Sequence, residues 1–310
     1  MTIQPREIQD VTQANREKRF VAASSVAAAV LLTGMKVVVG VSTGSIGILS
    51  EAAHSALDLV AAAVTLWAVG ASSRPADHDH PYGHGKIENF SALFETGLLL
   101  GTCAWISYEA GKRLLFESVH VDATIWSFGV MVVSIVVDVS RSRALMKAAK
   151  KHRSQALEAD ALHFSTDVWS SSVVLVGLAA VVASEAFGLP WLAKADAVAA
   201  LGVALIAVIV SLRLGKKSID DLLDAAPPDL LGQVAAAAHV EGVLEVSQVR
   251  VRRSGPHVFA DVTLEVARGL SLEAAHEITH QSELAVRAVV PEADVVMHAH
   301  PAEEAPPDPP

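Results

Sequence analysis

The chain has 310 residues, 52% of them hydrophobic, with a mean hydropathy of +0.40 and a formal net charge of −10. That is too apolar for an ordinary soluble domain, and too acidic, with no long basic cluster, to favour a nucleic-acid partner. The lone Cys103 excludes an internal disulfide and lies in an apolar run, where a buried inert thiol is expected.

A polar arm (residues 1–19) precedes the first apolar segment. No small-residue cleavage site follows, so that segment reads as an uncleaved span. Six segments reach the roughly 20 apolar residues that a spanning helix needs, at about 20–41, 45–72, 88–111, 121–143, 157–186 and 195–214. The short turn VSTGS predicts a tight antiparallel hairpin between the first two. Lys/Arg residues crowd the arm and the links after the second, fourth and sixth spans, whereas the opposite side holds only Lys112, Arg113 and Lys194. The positive-inside rule then puts both termini in the cytoplasm. Lys36, in the first span, is expected to snorkel outward.

Beyond the spans the pattern changes. A short helix near 229–239 precedes VLEVSQVRVRR and HVFADVTLEVA, which alternate with a period of two and predict paired strands. SLEAAHEITHQSELAVRAVV has a helical period with Ser271 as N-cap, and ADVVMHAH reads as a last strand. The predicted organisation is an arm (1–19), a six-helix transmembrane bundle (20–225), a small cytoplasmic α+β domain of α-β-β-α-β order, ferredoxin-like (226–301), and a disordered acidic, Pro-rich tail (302–310).

Two intramembrane motifs carry chemistry. His54 and Asp58 share one face of the second span at i and i+4, and His163 and Asp167 repeat the spacing on the fifth. If these antiparallel helices pack side by side, His54 stands level with Asp167 and Asp58 with His163. Two imidazoles and two carboxylates then converge, the number of donors a tetrahedral divalent ion takes. An ionised Asp near the bilayer centre costs at least about 2.5–3.5 kcal/mol, so two such pairs are poorly explained as interhelical glue. Nitrogen plus carboxylate suits zinc and its neighbours, and leaves iron(II), cobalt and cadmium open. Metal binding needs neutral His and ionised Asp, so it competes with protons, and a site opening alternately to each side exchanges one for the other. Asp160, Glu158, Asp138 and Glu95 could line the same cavity without a direct ligand role. An intramembrane metallohydrolase is disfavoured, because no H-E-x-x-H pairing occurs and four strong ligands would close the site. A membrane-anchored sensor or scaffold is disfavoured by the intact paired ligands.

GSIGILSEAAHSALD, DHDHPYGHGKIE and EADALHFSTD resemble signature stretches of the cation diffusion facilitator family, over nearly the whole chain apart from its two tails. The resemblance implies a homodimeric, proton-coupled exporter of divalent metal in a bacterial inner membrane, with Zn2+ as transported and regulatory ion and no organic cofactor. His54, Asp58, His163 and Asp167 would form the transport site. Asp77, His80 and His84 would form a second zinc site in the loop after the second span, with His78 and Asp79 as bystanders. Lys86 and Asp224 would form an ion pair between bundle and cytoplasmic domain. Asp261, His276, His298 and His300 resemble parts of the family's cytoplasmic metal site. Ser247 and Thr263 stand where the best-known bacterial zinc exporters place histidines, so a single weaker site is expected there.

Overall fold

The computed structural model describes residues 5–115, 125–187, 195–291 and 293–302. The expected tail beyond 302, Lys194 and the first four residues of the arm lie outside the described residues. The chain divides into two compact units, Met1–Ile219 and Asp220–Pro310.

The first unit is built from long helices, α1 (Pro5–Thr43), α2 (Ile46–Ser72), α3 (Lys86–Leu115), α4 (Ile125–His152), α5 (Gln155–Phe187) and α6 (Ala195–Leu222). Each exceeds the length a bilayer requires. Among the described residues, Thr12–Thr43, Ile48–Ser72 and Lys86–Tyr108 are also apolar enough to cross a membrane. Helices α4 and α5 are as long but carry charged groups inside their length. Trp67, Trp105, Tyr108, Trp126 and Trp169 all face outward, on the surface that lipid would cover.

Two helix pairs are joined with almost no slack. Gly44 adopts a positive φ of 67° between α1 and α2, and Ser45 caps α2 by accepting from the Ile48 N–H. Gly40 lets the hairpin close, because a Cβ there would lie 2.8 Å from Leu49 Cδ2. Only Arg153, at φ 50°, and Ser154 separate α4 from α5.

The polar arm is largely helical, because α1 already begins at Pro5. Two sequence expectations are corrected here. The basic stretch after the fourth span is the end of α4, which runs to His152. Lys36 does not snorkel, since its Nζ is buried against Ser55 Oγ at 2.7 Å and Glu51 Oε2 at 3.3 Å. Each correction has one cause. A polar side chain reads as solvated until its partner, many residues away, is seen.

At one end of the bundle a fully buried Glu88 collects such partners. Lys18 of α1 donates to Glu88 Oε1 at 3.0 Å, Ser72 of α2 at 3.1 Å, and Ser154 before α5 donates to Oε2. Asn89 donates to Gln155 at 2.8 Å beside it. Three helices and the link between α4 and α5 are thus tied through one carboxylate.

The second unit holds α7 (Pro228–Ala238), β1 (Val243–Ser254), β2 (His257–Val266), α8 (Leu272–Val289) and β3 (Ala293–Pro301). The sheet order is β1-β2-β3, with β1 antiparallel and β3 parallel to β2. Ser271 caps α8 by accepting from the Ala274 N–H at 3.2 Å. Val258, Ala260, Val262 and Leu264 point to the face covered by α7 and α8, where they pack on Val234, Ala238 and Val286. This is the α-β-β-α-β order that the alternating pattern predicted.

Candidate metal centre

The i, i+4 motifs meet across α2 and α5. His163 Nε2 lies 3.2 Å from Asp58 Oδ1 and 3.5 Å from Asp167 Oδ2. His54 Nε2 lies 3.9 Å from both Asp58 Oδ1 and Asp167 Oδ1. The cross-pairing of an early residue on one helix with a late residue on the other is that of antiparallel neighbours. Donors about 2.0–2.1 Å from a tetrahedral ion stand about 3.3–3.5 Å apart. The observed separations bracket that edge: His54, Asp58 and Asp167 bring one donor atom each within 4.8 Å of one another, and His163 stands against both carboxylates. His163 is buried, Asp58 and Asp167 nearly so, while the His54 side chain keeps 37% of its surface. The ring nitrogen of His163 opposite Asp58, Nδ1, has no hydrogen-bond partner.

Around this cluster lie charges that local sequence could not place. Arg141 of α4 donates to Asp138 at 3.2 Å and to Ser25 of α1 at 3.0 Å, with its guanidinium 3.5 Å from the Phe164 ring centre. Ser25 in turn donates to Asp160 at 3.3 Å, and Thr65 of α2 donates to Glu95 at 2.6 Å. Lys217 of α6 pairs with Glu158 at 2.7 Å.

The loop between α2 and α3 folds back on Asp77. Its Oδ1 accepts from the backbone N–H of His80 at 2.7 Å and of Asp79 at 3.1 Å, and Gly83 supplies a positive φ of 77°. His80 Nδ1 then stands 3.1 Å from Asp77 Oδ1, and His84 Nε2 3.4 Å from Oδ2. The His80 backbone N–H, with help from the His80 and His84 rings, holds the Asp77 carboxyl below the usual range. His78 and Asp79 pair with each other in solvent. Two clusters of three donors are therefore found among the described residues, His54, Asp58 and Asp167 in the bundle and Asp77, His80 and His84 in the loop.

The remaining candidates are not gathered within one chain. His298 and His300 lie on the exposed face of β3, in register with Thr263 and Glu265 of β2, and Asp261 shares that face. His276 sits on α8, on the other side of the sheet, and its ring stacks with His280. Asp224, at φ 58°, is 3.5 Å from Arg252 within its own unit. Lys86 begins α3 in the other unit.

A helical bundle with two imidazoles and two carboxylates brought together between its helices, followed by a small α/β unit, is a membrane protein that handles metal cations. The cation efflux transmembrane domain matches residues 22–223, and the cation efflux protein cytoplasmic domain matches 230–302. The chain belongs to this family, the cation diffusion facilitators, which are metal transporters. It is similar to the cation-efflux pump FieF of Salmonella paratyphi A and of Salmonella newport. Each is 31% identical over 285 residues, covering 91% of this chain and 91% of the relative. A nickel form of a MamM CTD variant is 28% identical with a TM-score of 0.24, covering 25% of this chain and 100% of that one.

Proposed function

We propose that this chain is a proton-coupled antiporter that exports divalent metal, Zn2+ foremost, from the cytoplasm of a bacterium across its inner membrane, as a homodimer with both termini cytoplasmic. The observation that carries the reading is the convergence of His54, Asp58, His163 and Asp167 at 3.2–3.9 Å inside the bundle. Two carboxylates and two imidazoles neutralise a dication and give the mixed oxygen and nitrogen set that zinc favours. The same donors bind protons, and a metal ion can enter only as they leave. Exchange of one for the other across the membrane follows when the cluster opens to each side in turn. The Salmonella relatives, named as cation-efflux pumps, support the outward direction.

Asp77, His80 and His84 form a second zinc site at the membrane surface in this reading. Lys86 and Asp224 link the bundle to the cytoplasmic domain, and Asp261, His276, His298 and His300 contribute to a weak regulatory site assembled with a second copy. Iron(II), cobalt or cadmium as the exported ion is the alternative that the donor set leaves nearest.

The test is zinc flux and internal pH measured together in proteoliposomes under an imposed pH gradient, for wild type, Asp58→Ala and His163→Ala. Wild type is expected to move both ions and the variants neither. Zinc carried at the wild-type rate by either variant overturns the transport site. Zinc flux without proton movement overturns the antiport, and no flux at all leaves a sensor or scaffold as the correct class.

A further inference from the structure

Between the transport cluster and the Glu88 end of the bundle lies a second pair of buried carboxylates. Asp160 stands one helical turn before His163 on α5, and Glu95 two turns beyond Glu88 on α3. Their exposures are 0% and 1%. One oxygen of each has an ordinary partner, since Glu95 Oε1 accepts from Thr65 and Asp160 Oδ2 accepts from Ser25. The other oxygen of each, Glu95 Oε2 and Asp160 Oδ1, is buried with no partner, as is His163 Nδ1. The helix segments that carry them are packed together, since Ala92 of α3, one turn before Glu95, lies in one buried cluster with Ala159 and Leu162 of α5, on either side of Asp160.

The salt bridge of Arg141 goes to Asp138, and its guanidinium reaches Asp160 only through the Ser25 hydroxyl. Among the described residues no lysine or arginine forms a salt bridge with Glu95 or Asp160. Two carboxylates out of water with a free oxygen each are costly unless something positive visits them. Thr65 and Ser25 meanwhile fix the orientation of both groups, as outer hydrogen bonds do for metal ligands.

We propose that Glu95 and Asp160 form a second divalent-cation site one helical turn from the transport cluster, a waystation on the path between the Glu88 end of the bundle and His163. Its donors are carboxylate oxygens, so the ion keeps part of its water shell and is held more weakly than by the four-donor cluster. Weak binding suits the role, because an ion on its way must leave again. The assignment rests on reading His54, Asp58, His163 and Asp167 as the transport site.

The test uses the full-length protein. In a background of Asp58→Asn and Asp77→Asn, equilibrium dialysis in detergent against Cd2+ should retain a weak site that Glu95→Gln weakens at least tenfold. In proteoliposomes, Glu95→Gln and Asp160→Asn on the otherwise native chain should raise the KM for zinc about tenfold. Equilibrium zinc affinity at the transport cluster should stay within threefold, and Glu95→Asp should recover part of the loss. A wild-type KM in both variants overturns the waystation, as does Cd2+ binding in the background protein that Glu95→Gln leaves unchanged. A lowered unfolding temperature and kcat with KM unmoved marks a structural role and overturns it too. Wild-type flux in Asp58→Asn is a different failure, that of the transport cluster itself.

Discussion

Replacing Asp58 with Asn keeps the side-chain shape and removes one negative charge from the four-donor cluster. Asp58 Oδ1 is 3.2 Å from His163 Nε2, and the carboxylate is only 13% exposed, so water cannot readily take its place. Leaving a buried charge without its counter-charge costs about 3–5 kcal/mol, and each 1.4 kcal/mol is tenfold. Zinc binding at the cluster is therefore predicted to weaken by roughly two to four orders of magnitude. Asp77→Asn makes the same change of charge in the loop, where the carboxylate is 52% exposed and solvent substitutes for it. The expected loss there is about tenfold or less. Equilibrium dialysis of the full-length protein against labelled zinc, with flux in parallel, compares the two. A dissociation constant within threefold of wild type for Asp58→Asn, or equal effects of the two substitutions, would refute the reasoning.

Glu88→Ala strands Lys18 in the interior and should cost about 3–5 kcal/mol in denaturant unfolding, most of it regained when Lys18→Met and Glu88→Leu are combined. A single variant as stable as wild type would show that the cluster is not a tie between helices. Gly242→Ala forces a φ of 93° on an L-residue and should cost about 1–3 kcal/mol, with the Ile278 side chain free to yield. It is read as a 5- to 150-fold loss of amide-exchange protection in β1 and β2, and a loss below twofold contradicts it. Because Asp77 has a depressed pKa, its charged form supports the loop turn at neutral pH and loses that role only as pH falls through the depressed value. Between pH 7 and 5 the His80 amide should therefore stay protected from exchange. Loss of that protection already by pH 5 would refute the role given to Asp77.

Much of the cluster of His54, Asp58, His163 and Asp167 was legible in the sequence because its rule is local. A spacing of four puts two side chains on one helix face, and the repeat on a second apolar segment fixes which residues face each other. The C-terminal unit was legible for the same reason, since strands of period two and the cap at Ser271 are short-range signals. The ties of Glu88, Arg141 and Lys36 were not. Lys18 and Glu88 are 70 residues apart, and Ser25 and Arg141 are 116 apart, so only packing brings them together. The histidines of the C-terminal unit show the converse. The family resemblance grouped His276 with His298 and His300, but a sheet stands between the helix and the exposed strand face.

The two-residue link between α4 and α5 limits how these helices can move apart. Ser142 Oγ donates to the Ala161 carbonyl at 2.8 Å, and Arg141 lies against Phe164, so the limbs are clasped along their length as well as at the turn. His163 cannot travel without carrying α4, just as the tight Gly44 turn makes α1 a passenger of His54. In the antiport proposed above, presenting the ion to one side and then the other would accordingly be a swing of two stiff forks about their shared cargo. A flexible insertion after Arg153 is then expected to leave every ligand in place and still take the stroke out of the machine.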